Sequence, residues 1–106
     1  MHGLLDDCVP YEGGGALARP PIEDDIASWR DHDDCEETGT DATEDGVRRR
    51  AWTCADGASV ELITLDDHGH AWSGAPADTL SPPCGGERTD PISTTAEAWR
   101  FFQAHP

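Results

Sequence analysis

Two short segments of this 106-residue chain concentrate side chains capable of acid–base chemistry. The first is His2-Gly3-Leu4-Leu5-Asp6-Asp7-Cys8-Val9-Pro10-Tyr11. The second is Asp67-His68-Gly69-His70-Ala71-Trp72-Ser73-Gly74, directly after the most apolar strand-like run. A histidine on a loop leaving a strand end is free to reach across a cleft, and an unperturbed pKa of about 6.5 lets it shuttle protons. A carboxylate on its far ring nitrogen fixes the tautomer and stabilises the imidazolium that forms. The carboxylates of the first segment and the histidines of the second are the groups that this chemistry singles out.

The elements that must position this pair can be read from the pattern of residues. Residues 1–14 read as a loop, since Asp6-Asp7, Pro10 and the glycine run at 13–15 favour turns, and the strand expected before it does not precede it. Pro20-Pro21 then opens a helix in which Ile22, Ile26 and Trp29 recur at spacings of four and three, with Glu23, Asp24 and Asp25 in its first turn and its end near His32. Cys35 to Gly46 is acidic and Thr-rich, and reads as an exposed, disordered loop. Val47–Ala55 and Ala58–Leu65 read as two strands joined around Asp56-Gly57, a strong hairpin signal. Along the second strand Val60, Leu62 and Thr64 alternate with Glu61, Ile63 and Leu65, apolar enough for a strand covered on both faces. Asp66–Pro91 follows as a loop of about twenty-five residues, a length often associated with function. Thr94-Thr95-Ala96-Glu97 fits a capping box capped by Thr94, with Ala98, Trp99 and Phe102 as an apolar stripe and the helix closing at Gln103 or Ala104. The order loop, helix, hairpin, long loop, helix resembles the tail of an α/β fold.

Composition narrows the function classes. Seven Arg and no Lys stand against 14 Asp and 8 Glu, for a formal charge of −15. A nucleic-acid binder needs clustered cations, and the one basic run, Arg48-Arg49-Arg50, sits among acidic residues without a counterpart patch. No apolar run approaches the roughly 18–20 residues of a membrane span, and the residues after Met1 do not form a secretion signal. Four widely spaced cysteines, Cys8, Cys35, Cys54 and Cys84, without a C-x-x-C pair, favour disulfides and an oxidising compartment over a zinc knuckle. Export chemistry without an export signal points to an extracellular protein whose signal peptide lies in a missing N-terminal part.

In the two segments, His2-Gly3-Leu4-Leu5-Asp6 with Val9-Pro10-Tyr11 resembles the H-G-x-x-D…V-P-Y stretch, and Gly69-His70-Ala71-Trp72 with Gly74 resembles the G-G-G-H-x-W-P-G stretch, of the secreted serine esterases that include polyhydroxybutyrate depolymerases and feruloyl esterases. Ala98-Trp99-Arg100-Phe101-Phe102-Gln103-Ala104-His105 is similar to that family's terminal helix. The resemblance implies the C-terminal part of a single α/β-hydrolase domain, with Asp6 as triad acid and His70 as triad base, in the acid-before-histidine order of those enzymes. It also implies a Cys35–Cys54 disulfide and an ester substrate, whether polyester, aromatic or acetyl. The chain departs from the family where Asp67 and His68 replace Gly and Ser73 replaces Pro.

The nucleophile is absent: no G-x-S-x-G occurs, and Ser28, Ser59, Ser73, Ser81 and Ser93 lack the flanking glycines of a nucleophile elbow. An oxyanion-hole loop is missing as well, so the chain is expected to be inactive alone. Plainer readings stand beside this one. His70 can be a loop histidine without duty, and Asp6 or Asp7 a turn cap. His68, His70 and Asp66-Asp67 lack the third and fourth ligands of a metal site, and the chemistry calls for no cofactor or metal. Trp29, Trp52, Trp99 and Phe102 read as core residues, whereas Trp72 beside the proposed base lines a cleft or packs the loop. Cys8 and Cys84 pair with each other or remain free. The competing class is a small acidic, disulfide-stabilised extracellular binding module without catalysis.

The missing lysines reflect either adaptation to high salt or a GC-rich genome that encodes Arg over Lys. In both cases self-repulsion among the acidic residues is screened by salt, with a Debye length of about 8 Å at physiological ionic strength. The melting temperature is therefore expected to rise in molar NaCl, and a scan showing a flat or falling dependence would refute this.

Overall fold

Two long neighbouring strands, whose side chains point alternately to opposite faces, set the architecture. The computed structural model describes residues 1–76, 84 and 87–106. Within them the elements are β1 (His2–Gly3), α1 (Ile22–His32), β2 (Thr40–Glu44), β3 (Val47–Thr53), a 3-10 turn (Ala55–Gly57), β4 (Ser59–Leu65) and α2 (Thr94–Ala104). They form one mixed four-stranded sheet in the order β1-β4-β3-β2. β1 runs parallel to β4, and β4, β3 and β2 are antiparallel neighbours. Among the described residues no helix is long and apolar enough to cross a membrane.

Because side chains on a strand point alternately to opposite faces, β3 and β4 supply two apolar clusters. Trp52, Cys54, Val60 and Leu62 form one, against which Ile22 and Ile26 of α1 and Cys35 pack. Val47, Ile63 and Leu65 form the other, with Ile92 against it. The register Val47↔Leu65 and Trp52↔Val60 keeps the two clusters apart. Full burial of a leucine such as Leu62 or Leu65 stabilises the fold by about 1.5–3 kcal/mol.

The Arg48-Arg49-Arg50 run is distributed by the same alternation. Arg48 grips Asp41 on β2 with two bonds of 2.9 and 2.6 Å. Arg49, on the opposite face, makes a bidentate pair with Glu97 of α2 at 2.8 and 2.7 Å. Arg50 returns to the first face and meets Glu23 of α1 at 2.5 and 3.1 Å. Two strand positions thus clamp the two helices onto the sheet, and the Arg49 guanidinium holds the Glu97 carboxyl below the usual carboxylate range. Trp52 is flanked by Arg30 and Arg50, whose guanidinium carbons lie 4.6 and 5.7 Å from the ring centroid.

Several sequence expectations need correction. The N-terminal segment is not all loop, since His2 and Gly3 pair with Thr64 and Leu65. Cys35–Gly46 is not a disordered loop: it contains β2, an edge strand with every residue exposed. Asp45 and Gly46, with φ of 50° and 75°, make the tight turn into β3, and the pairing Glu44↔Val47 closes it. The cap of α2 is Ser93, whose Oγ accepts from the Ala96 amide, while Glu97 turns to Arg49 instead of completing a capping box with Thr94. Trp29, Trp99 and Phe102 are 59%, 63% and 61% exposed, so they are not core residues. The half-buried stripe of α1 is Ile22, Ile26 and Arg30, and that of α2 is Thr94, Glu97, Ala98 and Phe101. Trp52 is buried as read. Part of the 66–91 loop, including Ser81, lies outside the described residues.

Two disulfides, Cys8–Cys84 and Cys35–Cys54, span sequence separations of 76 and 19 and leave no free cysteine. Such crosslinks form and persist in oxidising environments. A thiol assay on denatured protein should count no thiols before reduction and all four after it. Replacing Cys35 and Cys54 together by Ser should cost about 3 kcal/mol in the chain-entropy estimate, read as a lowered denaturation midpoint.

Candidate functional site

The parallel pairing of β1 with β4 brings the two chemistry-bearing segments side by side. Beyond the strand the Leu4 amide donates to the Leu65 carbonyl at 2.9 Å and the Leu5 amide to the His68 carbonyl at 3.0 Å, so the acid loop is bonded directly to the histidine loop. Gly3 is required by this approach: a Cβ there would collide with the carbonyl oxygens of His68 and Gly69.

Asp6 follows, 7% exposed, with both carboxylate oxygens engaged. Oδ1 accepts from the backbone amides of Cys8 and Val9 at 2.9 and 2.8 Å. Oδ2 lies 2.9 Å from His70 Nδ1, which therefore donates to it. Among the described residues His70 Nε2 makes no hydrogen bond, leaving the ring half-exposed with one nitrogen able to accept a proton. Burial pushes the Asp6 carboxyl up, but the Val9 amide, the His70 ring and the Cys8 amide outweigh it and hold the group below its ordinary value. Asp7 is exposed, so Asp6 rather than its neighbour meets the histidine. The Cys8–Cys84 bond anchors the chain two residues after Asp6.

Two further histidines surround the pair. His2 Nε2 donates to the Val9 carbonyl at 2.7 Å and lies 3.4 Å from Asp6 Oδ2, bracing the turn that carries the acid. His68 is buried, with Nε2 donating to the Ala71 carbonyl at 3.0 Å and Nδ1 accepting from the Thr89 and Asp90 amides at 3.1 and 3.4 Å. With both nitrogens taken, His68 has no lone pair to offer a metal, and no cluster of three or more metal-ligating side chains occurs among the described residues. Sequence reasoning gave neither His2 nor His68 a positioning role. For His2 the only signal was its place in the same motif as Asp6, and for His68 its spacing of two from His70.

The histidine loop is then tied to α2. Ser73, buried where the resembled motif has Pro, donates from Oγ to the Ile92 carbonyl at 2.6 Å, and the Thr94 amide donates to the Ser73 carbonyl at 2.9 Å. Trp72 is exposed, donates from Nε1 to Thr95 Oγ1 at 3.2 Å, and lines a cavity of about 560 Å³. Ile63 and Leu65 of β4 and Ala98 and Phe101 of α2 form apolar walls of that cavity, and Asp6 and His70 lie on its lining. Its volume suits a small organic group. No described serine bonds to His70: Ser28, Ser59 and Ser73 donate to backbone carbonyls, and Ser93 caps α2.

Since the native-state pKa of Asp6 lies below its unfolded-state value, its carboxylate stabilises the fold fully above the unfolded value, and that contribution is lost as pH falls through the native one. Asp6→Asn should therefore destabilise by about 1.5–3 kcal/mol at pH 7. The gap to wild type should close as the solution becomes more acidic than the usual carboxylate range. Denaturant melts of both proteins across pH measure this, and a gap independent of pH would contradict an ionised, hydrogen-bonded Asp6.

Compared with known proteins, the chain matches no family model, no curated protein and no solved structure.

Proposed function

We propose that this chain supplies the acid and the histidine of a Ser-His-Asp triad in an extracellular carboxylic ester hydrolase similar to the polyhydroxybutyrate depolymerases and feruloyl esterases, with the serine provided by a segment other than this one. The observation that carries the reading is the 2.9 Å contact between Asp6 Oδ2 and His70 Nδ1, with His70 Nε2 left to accept a proton. In this reading Asp6 holds one tautomer and stabilises the imidazolium. His70 Nε2 takes the proton of the serine hydroxyl as the oxygen attacks the ester carbonyl, then gives it to the departing alcohol as the acyl-enzyme forms. Water, activated by the same nitrogen, releases the acid. The apolar cavity beside His70, with Trp72 at its wall, is the place for the acyl or alkyl portion of a polyester, aromatic or acetyl ester.

The reading requires a partner segment, because no G-x-S-x-G occurs in the chain and its four cysteines are all oxidised. The two disulfides agree with an extracellular setting, and they agree equally with the second reading, an acidic binding module without catalysis. Five of the seven arginines, Arg48, Arg49, Arg50, Arg88 and Arg100, are paired with carboxylates, which speaks against a patch for nucleic acid.

Fluorophosphonate labelling separates the readings. The chain alone should remain unlabelled and should not hydrolyse p-nitrophenyl acetate. Joined to whatever coding sequence lies upstream of Met1, it should label and hydrolyse, and His70→Ala should lower the rate by several orders of magnitude, as loss of a triad member does. An upstream sequence without a serine elbow, or a joined protein that never labels, would overturn the hydrolase reading in favour of the binding module.

A further inference from the structure

The site contains a buried ring that the triad chemistry does not use. His68 is 1% exposed, although histidine usually keeps one edge in water, and it sits two residues before His70. Its hydrogen bonds specify its protonation. The Ala71 carbonyl can only accept, so Nε2 carries the proton; the Thr89 and Asp90 amides can only donate, so Nδ1 does not. The ring is therefore a neutral Nε2–H imidazole with both nitrogens in use.

These bonds enclose His70. On one side the His68 carbonyl accepts the Leu5 amide and is thereby fixed to the acid loop. On the other side the His68 ring holds the carbonyl of Ala71, the residue after His70. The two flanks of His70 are thus tied by one residue, and the far edge of that residue's ring is pinned to the 89–90 backbone. The Gly69 amide, donating to the Glu87 carbonyl at 2.6 Å, adds a parallel tether. We propose that His68 is a positioning residue whose side chain closes the 68–71 turn and so sets the His70 ring at hydrogen-bonding distance from Asp6.

The arrangement arises from this chain's own residues, because the motif it resembles has glycine at this position and a glycine offers no ring to close the turn. A side-chain donor that fixes the backbone just after a catalytic group restricts its orientation, and small displacements of such groups are costly in rate. The consequence for ester hydrolysis rests on the reading proposed above, whereas the positioning of His70 does not.

The test uses the oxidised 106-residue chain and nuclear magnetic resonance. In the wild type, long-range nitrogen–proton correlations should report His68 as the Nε2–H tautomer, and the His70 Nδ1 proton should give a downfield signal from its bond to Asp6. His68→Gln places an amide donor near the former Nε2 and should preserve both that signal and the depressed titration of Asp6. His68→Asn reproduces only the Nδ1 acceptor, and His68→Leu neither group; both should lose the signal and return Asp6 toward the ordinary carboxylate range. A role confined to stability would shift the melting temperatures of the Gln and Asn variants without separating their His70 signals, and that result overturns the proposal. An Nδ1–H tautomer in the wild type overturns it as well, and this measurement stands even if every variant fails to fold. A chain whose His70 signal follows His68 as expected, yet which never takes up fluorophosphonate when joined to its upstream sequence, refutes the hydrolase reading alone.

Discussion

The two-residue pairing of His2 and Gly3 with Thr64 and Leu65 is the contact on which the site depends. A parallel strand this short has little stability of its own, and it closes a chain loop of about sixty residues, whose entropy opposes it. Three features hold it in place. Gly3 lets two backbones approach to a distance that no side chain permits. The Leu4 and Leu5 amides extend the ladder past the strand to residues 65 and 68. The Cys8–Cys84 crosslink removes part of the freedom that the unfolded chain would otherwise regain. Once the acid loop lies along the histidine loop, the bond from His70 to Asp6 requires only that each loop hold its own shape. His2 braces the first and His68 and Ser73 the second.

Electrostatics works alongside this backbone scaffold. With 22 acidic residues and seven arginines, the protein places four of its cations, Arg48, Arg49, Arg50 and Arg100, at junctions between elements. Arg48, Arg49 and Arg50 are consecutive, so strand alternation sends Arg49 to α2 on one face while Arg48 and Arg50 share the other and reach β2 and α1. Arg100 joins α2 to β4 through Glu61 while sharing Glu97 with Arg49. A basic run that could be taken for an anion-binding patch is instead a set of internal clamps. The excess of carboxylates over arginines accounts for the net repulsion that salt is able to screen.

What could be read from the residues followed from local chemistry. The β3–β4 hairpin was legible because Asp56-Gly57 interrupts two apolar alternations, and α1 because its apolar spacing follows two prolines. The strand β2 was missed although Asp45-Gly46 is the same dipeptide signal, because its acidic composition reads as disorder when its pairing with β3 is unseen. Trp29, Trp99 and Phe102 were misread for a related reason. Spacing placed Ile22, Ile26 and Ala98 on the inward stripes but did not show the exact side the sheet occupies, and the stripes continue through Arg30 and Phe101 where Trp29, Trp99 and Phe102 were expected.

By itself the sequence determined the acidic, lysine-free surface, the even cysteine count, the paired alternation of β3 and β4, and the identity of Asp6 and His70 as groups suited to proton transfer. The first three depend only on residue type or on neighbours a few positions away, and the last on the resemblance of two short motifs. The motif resemblance named Asp6, His70 and the Cys35–Cys54 pair, while only the tertiary structure decided between Asp6 and Asp7, joined Cys8 to Cys84, and engaged His68 at both nitrogens. Those outcomes depend on contacts between residues about twenty to seventy-six positions apart, whose formation is governed by backbone pairing and burial, and short-range residue patterns carry no information about such distances.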